Sequence, residues 1–194
     1  MKSKSIASLV HLTLGCCLFS SNSVASTPVS PLAPAVPAIT AEPALLPGAR
    51  LAGSARMRAW GFDIYQASLW VTPAFQASAY WQTPFALELS YLRTLEGAAI
   101  AQRSLDEMQR ASSLPSAQAS DGLAKMTRIF PNVNKGDTLT GLHTPEQGAR
   151  FLVNGQPLGD IAQADFSRRF FGIWLGASTS APGLRAALLR GVPS

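Results

Sequence analysis

Apolar residues along the chain change their spacing several times, and each change marks an element. Residues 50–59 and 61–71 together hold aromatic and β-branched side chains, with Gly53 and Gly61 as punctuation. In the second stretch Phe62, Ile64, Ser68 and Trp70 fall on one face and Asp63, Tyr65, Ala67 and Leu69 on the other, the period of a strand. Both faces carry apolar groups, which predicts a central strand. Residues 85–92, opened by Pro84, read as a third strand. From Leu95 the period lengthens. Leu95, Ala98, Ala101, Leu105 and Met108 step by three or four, and Arg103–Glu107 and Asp106–Arg110 are available as i,i+4 pairs, so an amphipathic helix is predicted. A second helix over 117–129 ends before Pro131. Strands follow over 137–142, 149–153 and 156–161, the last two flanking Asn154-Gly155, a strong hairpin signal. Residues 164–175 form a helix whose Phe166, Phe170, Phe171 and Trp174 recur at helical spacing, a core pattern. A last short helix starts after Ser180, with Pro182 in its first turn, and stops at Gly191. The order β-β-β-α-α-β-β-β-α-α predicts an α+β domain with one large, mostly antiparallel sheet and helices packed on one face.

The N-terminus has a different character. Lys2 and Lys4 precede an apolar stretch from Ile6 to Phe19, and Ser23-Val24-Ala25 offers small residues where a signal peptidase reads. Residues 1–25 are therefore expected to be a cleaved signal peptide. The stretch is shorter than the roughly 20 apolar residues that span a bilayer, so no transmembrane segment is expected in the mature protein. The expected destination is export, to the periplasm of a bacterial cell. Thr13 stands three before Cys16 and a cysteine precedes Cys17, a poor lipidation context, so a lipoprotein is not expected. Residues 26–48, with Pro28, Pro31, Pro34, Pro37, Pro43 and Pro47 among Ala, Val and Ser, read as an extended linker. Residues 49–194 then form a single domain.

Cleavage narrows the chemistry. Both cysteines and His11 leave with the leader, so the mature chain has no thiol and one histidine, His143. Disulfides, thiolate nucleophiles and cysteine or His-rich metal sites are excluded, and no cofactor is expected. His143, beside Thr144-Pro145, reads as a solvated loop residue. The net charge of +5 falls to +3 once Lys2 and Lys4 are removed. No basic stripe is present, so nucleic acid is not an expected partner.

Ordered segments now carry a resemblance. Residues 51–58 (LAGSARMR) are followed by 61–70 (GFDIYQASLW), 85–91 (FALELSY) and 107–110 (EMQR). Then come 129–133 (IFPNV), 135–137 (KGD), 151–155 (FLVNG), 170–175 (FFGIWL) and 179–185 (TSAPGLR). In this order the chain resembles the chalcone isomerase-like superfamily, and within it a small exported bacterial branch. The resemblance implies an open-faced β-sandwich. The plant isomerases close a flavanone ring with an Arg near the start of the fold, a nearby Thr, and a Tyr and an Asn on the first helix after the third strand. The resemblance sets Met57 at the Arg position, with the others falling near Trp60, Ile100 and Glu107. None matches, so an active chalcone isomerase is not expected.

Three readings remain. The first is a binding module for a small apolar acid such as a fatty acid. Candidate ligand-binding residues are Arg56 and Arg58, which flank the vacant position, with Tyr65, Tyr91 and Glu107. Strand alternation sends Arg56 and Arg58 to the face opposite Met57 unless a bulge intervenes. The second is an isomerase or intramolecular lyase of altered site, with Glu107 as base if burial raises its pKa. Its alternative role is a salt-bridged helix face with Arg103 and Arg110. The third is an envelope interaction protein held out on the linker.

Overall fold

A computed structural model describes residues 46–193. The expected signal peptide and all but the last three residues of the expected linker lie outside these residues. Six strands, β1 (Arg50–Ala59), β2 (Phe62–Val71), β3 (Phe85–Tyr91), β4 (Thr138–Thr144), β5 (Gly148–Val153) and β6 (Gln156–Ile161), form one antiparallel sheet in sequence order. Helices α1 (Gly97–Ala111), α2 (Ser116–Ile129), α3 (Ala164–Leu175) and α4 (Pro182–Leu188) pack on the sheet and on one another, and a short 3-10 turn, Ala77–Gln82, leads into β3. This is the α+β arrangement that the alternation of periods predicts, with the open-faced sheet that the resemblance implies.

The core lies between sheet and helices. Ala67, Leu69, Val71, Phe85, Leu87, Leu89 and Phe151 from the sheet meet Ala101, Leu105, Met108, Phe166, Phe170, Phe171 and Trp174 from the helices. The aromatic stripe of α3 is core, as its spacing predicts. On the other face Leu46, from the end of the expected linker, is buried against Ala86 and Leu142, with Ala49 and Trp70 at the edge.

Local departures from the sequence reading have physical causes. Leu95 does not begin α1. It pairs with Val133 as an isolated bridge, and the helix opens two residues later, where the Gly97 N–H donates to Asn132 Oδ1. A Cβ on Gly97 would lie 2.1 Å from the Phe130 carbonyl oxygen, so only glycine fits this start. In β2 the alternation breaks. The register moves from Met57↔Tyr65 to Arg58↔Asp63, a bulge that leaves Ile64 and Tyr65 together opposite Met57. Asp63 is thereby within reach of Arg56 and Arg58 instead of sharing the face of Tyr65.

The largest correction is His143. It is no loop residue: β4 runs to Thr144, and His143 pairs with Phe85 on one side and Ala149 on the other. Its side chain is 1% exposed and stacks on the Phe85 ring at 4.9 Å. Nε2 lies 3.0 Å from the Trp81 carbonyl oxygen and Nδ1 2.7 Å from Ser167 Oγ. A carbonyl only accepts, so Nε2 carries the proton and Nδ1 accepts from the serine hydroxyl. Burial pushes the pKa of this imidazole down, against the opposing effect of the Trp81 hydrogen bond. His143 thus ties the 3-10 turn to α3 across the sheet's inner face.

Candidate functional site

A cavity of about 370 Å³ opens between β1–β3 and helices α1, α3 and α4. Its walls are mainly apolar: Met57, Ile64, Leu89, Ile100, Phe170 and Leu184 are representative. The sheet supplies this lining because inward residues alternate along each strand, and α1 supplies Ile100, Arg103, Ser104 and Glu107 at helical spacing.

Polar groups enter at few points. Tyr65 and Tyr91 are cross-strand partners on β2 and β3, with rings 6.0 Å apart edge to face. Tyr65 Oη accepts a 3.0 Å hydrogen bond from Trp174 Nε1, which leaves its own O–H free to donate. Burial, together with the nearby Glu107 charge, raises the Tyr65 pKa to about 12, and burial raises that of Tyr91 as well. Both phenols therefore stay protonated donors at any physiological pH.

Glu107 lines the same cavity and is buried, with its carboxylate held between Arg103 and Arg110. Burial alone works to raise its pKa. The Arg110 and Ser180 hydrogen bonds and the two guanidinium charges outweigh that and hold it below the usual carboxylate range. The salt-bridged helix role is the one observed, and a carboxylate so held is poorly matched to general-base work near neutral pH. Arg103 is different: its side chain is 62% exposed, and its guanidinium engages Glu107 through Nη2 while it stands at the cavity's edge. With Trp60, which is 87% exposed and also lines the cavity, it marks the opening.

Of the residues singled out in the sequence, Tyr65, Tyr91 and Glu107 are brought together here. Arg56 and Arg58 are not. The strand's alternation places Met57 toward the cavity and both arginines on the opposite face, where they pair with Asp63, Arg56 Nη1 at 2.7 Å from Oδ2. The bulge falls after Met57 and on the partner strand, so it shifts Asp63 toward the arginines and brings neither arginine to the cavity. Arg103, Ser104, Trp174 and Ser180 are cavity residues that the sequence reading did not single out. The Arg103–Glu107 spacing was legible as a pair, but nothing in the sequence says that this face of α1 borders a void. Among the described residues no cluster of His, Cys, Asp and Glu could hold a metal ion. No helix among them is long and apolar enough to cross a membrane.

Fold and cavity together define a helix-covered antiparallel sheet enclosing an apolar ligand-sized space. A family model described as chalcone isomerase-like matches residues 49–190, and the chain belongs to that family. No curated protein matches the chain in sequence. Among solved structures it is similar to a fatty-acid-binding protein of Arabidopsis thaliana, with a TM-score of 0.59 and 12% sequence identity. The match covers 74% of this chain and 88% of that one, a likeness of fold. All four positions that the resemblance aligns with the plant isomerase site, Met57, Trp60, Ile100 and Glu107, line this same cavity.

Proposed function

We propose that the domain binds a small apolar acid, of the fatty-acid class, in this cavity and does not catalyse chalcone cyclisation. The observation that carries the reading is the composition of the cavity: apolar walls, two phenolic donors held protonated, and at the mouth the Arg103 guanidinium, paired through Nη2 with Glu107. An anionic head would accept from Arg103 and the tail would lie along Ile100, Phe170 and Leu184. Where the plant isomerases carry an arginine this chain has Met57, so an enolate or phenoxide has no cation at that position. The fatty-acid-binding protein with the same fold supports the ligand class. We further propose that the mature protein is exported, starting at Ser26, on the strength of the Lys2/Lys4, apolar and small-residue segments.

The test is displacement of a fluorescent fatty acid. One charge-assisted hydrogen bond to a carboxylate is worth about 1.5–3 kcal/mol, roughly ten- to a hundredfold in affinity. Arg103→Met is expected to weaken binding by that factor, and Arg56→Met and Arg58→Met to leave it unchanged. Absence of saturable binding by the wild type would end the reading, and equal loss in Arg56→Met would move the head group to the other face.

A further inference from the structure

The β1–β2 hairpin ends in a two-residue turn, Trp60-Gly61, closed by the Ala59↔Phe62 pair. Both turn residues have positive φ, 50° at Trp60 and 80° at Gly61. Glycine adopts this at no cost, whereas a bulky L-residue does not. An indole held in a disfavoured backbone conformation and 87% exposed contributes nothing to the core. Phe62 beside it is 60% exposed. Strain and exposed aromatic surface at one tip are features that fold stability alone selects against.

Cations surround this apolar tip. The Arg93 guanidinium lies over the Phe62 ring, 5.0 Å from its centroid. Arg56 and Arg58 stand on the adjoining β1 face, their side chains 50% and 70% exposed. Asp63 pairs with both Arg56 and Arg58, one carboxylate shared by two guanidiniums, and with Arg93 beside them three cations meet that single acid at the tip. The same Trp60 borders the opening of the ligand cavity.

We propose that the hairpin tip docks on an anionic lipid surface, with Trp60 and Phe62 in the headgroup boundary and Arg56, Arg58 and Arg93 on the phosphates. The cavity mouth would then face the bilayer from which an acyl ligand enters or leaves. Indole and phenyl rings favour the membrane–water boundary, and exposed arginines add attraction to anionic headgroups. A lipid surface fits better than a protein groove because the patch is a narrow aromatic tip ringed by cations, with no broad face to bury. The role in ligand exchange rests on the fatty-acid reading of the cavity, whereas the docking itself does not.

Sedimentation of the mature chain, residues 26–194, with phosphatidylethanolamine–phosphatidylglycerol vesicles, without added fatty acid, tests the docking. The wild type is expected to partition, less strongly at high salt and on pure phosphatidylcholine. Phe62→Ser, exposed and outside the cavity wall, is expected to lower partitioning about tenfold. Its affinity for the fluorescent fatty acid in solution should not change. Arg93→Ser should lower partitioning on the anionic vesicles only. A wild type that binds the fatty acid but not the vesicles overturns the docking and leaves the cavity reading standing. So does a Phe62→Ser variant that partitions like wild type, or a Phe62-dependent complex with a protein in place of vesicles. Vesicle binding without any fatty-acid binding keeps the docking and removes the exchange role.

Discussion

The single histidine of the domain shows how position decides chemistry. His143 sits among Phe85, Phe171 and Ser167, with its two ring nitrogens engaged as one donor and one acceptor. A second proton would remove the acceptor that Ser167 uses and place a charge beside two phenyl rings. Its pKa is accordingly depressed in the folded state, so between that value and the ordinary one near 6.5 the unfolded chain binds more protons. The stability this residue supports is fully present above about pH 6.5 and declines as the pH falls below it. The lowered pKa of Glu107 acts in a separate window, below the ordinary carboxylate value of 4.5. His143→Phe keeps the stacking surface but leaves the Trp81 carbonyl and Ser167 hydroxyl without this partner, an expected loss of about 1–3 kcal/mol at neutral pH. Urea unfolding at neutral pH and at about pH 5 is the measurement. The wild type should lose stability between the two and the variant should lose less. An equal decline in both would show that His143 is not the titrating group.

Among the elements, the two tight hairpins make an instructive pair. At Asn154-Gly155 both residues have positive φ, and the Asn154 side chain accepts from the Thr138 N–H and donates to Asp137. That turn is written in the sequence because asparagine tolerates the left-handed region and glycine is indifferent to it. The Trp60-Gly61 turn has the same sign of φ with the wrong first residue, so sequence alone marks the break at Gly61 but not the exposed tip. Trp60→Asn should therefore raise folding stability by about 0.5–1 kcal/mol in urea titration while weakening vesicle partitioning. A variant no more stable than wild type would mean that Trp60 makes compensating contacts in the turn. The strands and helices were legible where one period ran uninterrupted, as in α3. Their ends were not, because partners remote in sequence set them: Val133 draws Leu95 out of α1, and Phe85 and Ala149 draw His143 into β4. The candidate site was half legible for the same reason. Tyr65 and Tyr91 announce themselves as aromatic strand residues, whereas Arg103 becomes a site residue only once α1 is laid across the sheet.

In the whole molecule, the space left between the sheet and helices α1, α3 and α4 bears on what the domain can hold. About 370 Å³ lies at the small end of the roughly 300–1,000 Å³ that ligand sites occupy. That volume suits the single acyl chain of the proposed reading. Ile100 projects from α1 into the cavity and is only partly buried by protein neighbours. Enlarging it should consume ligand volume before it displaces the core, so Ile100→Trp is expected to cost less than about 1.5 kcal/mol in stability. The same change should weaken fatty-acid binding by at least about tenfold. The loss should be steeper for longer chains, because a shortened cavity excludes the far end of the tail first. Competition titrations with a series of single-chain acids, run alongside urea unfolding on both proteins, separate the two effects. Equal affinity in the variant across the series would show that the acyl chain lies elsewhere. A uniform loss that tracks lost stability would show that the substitution damaged the fold instead of filling the site.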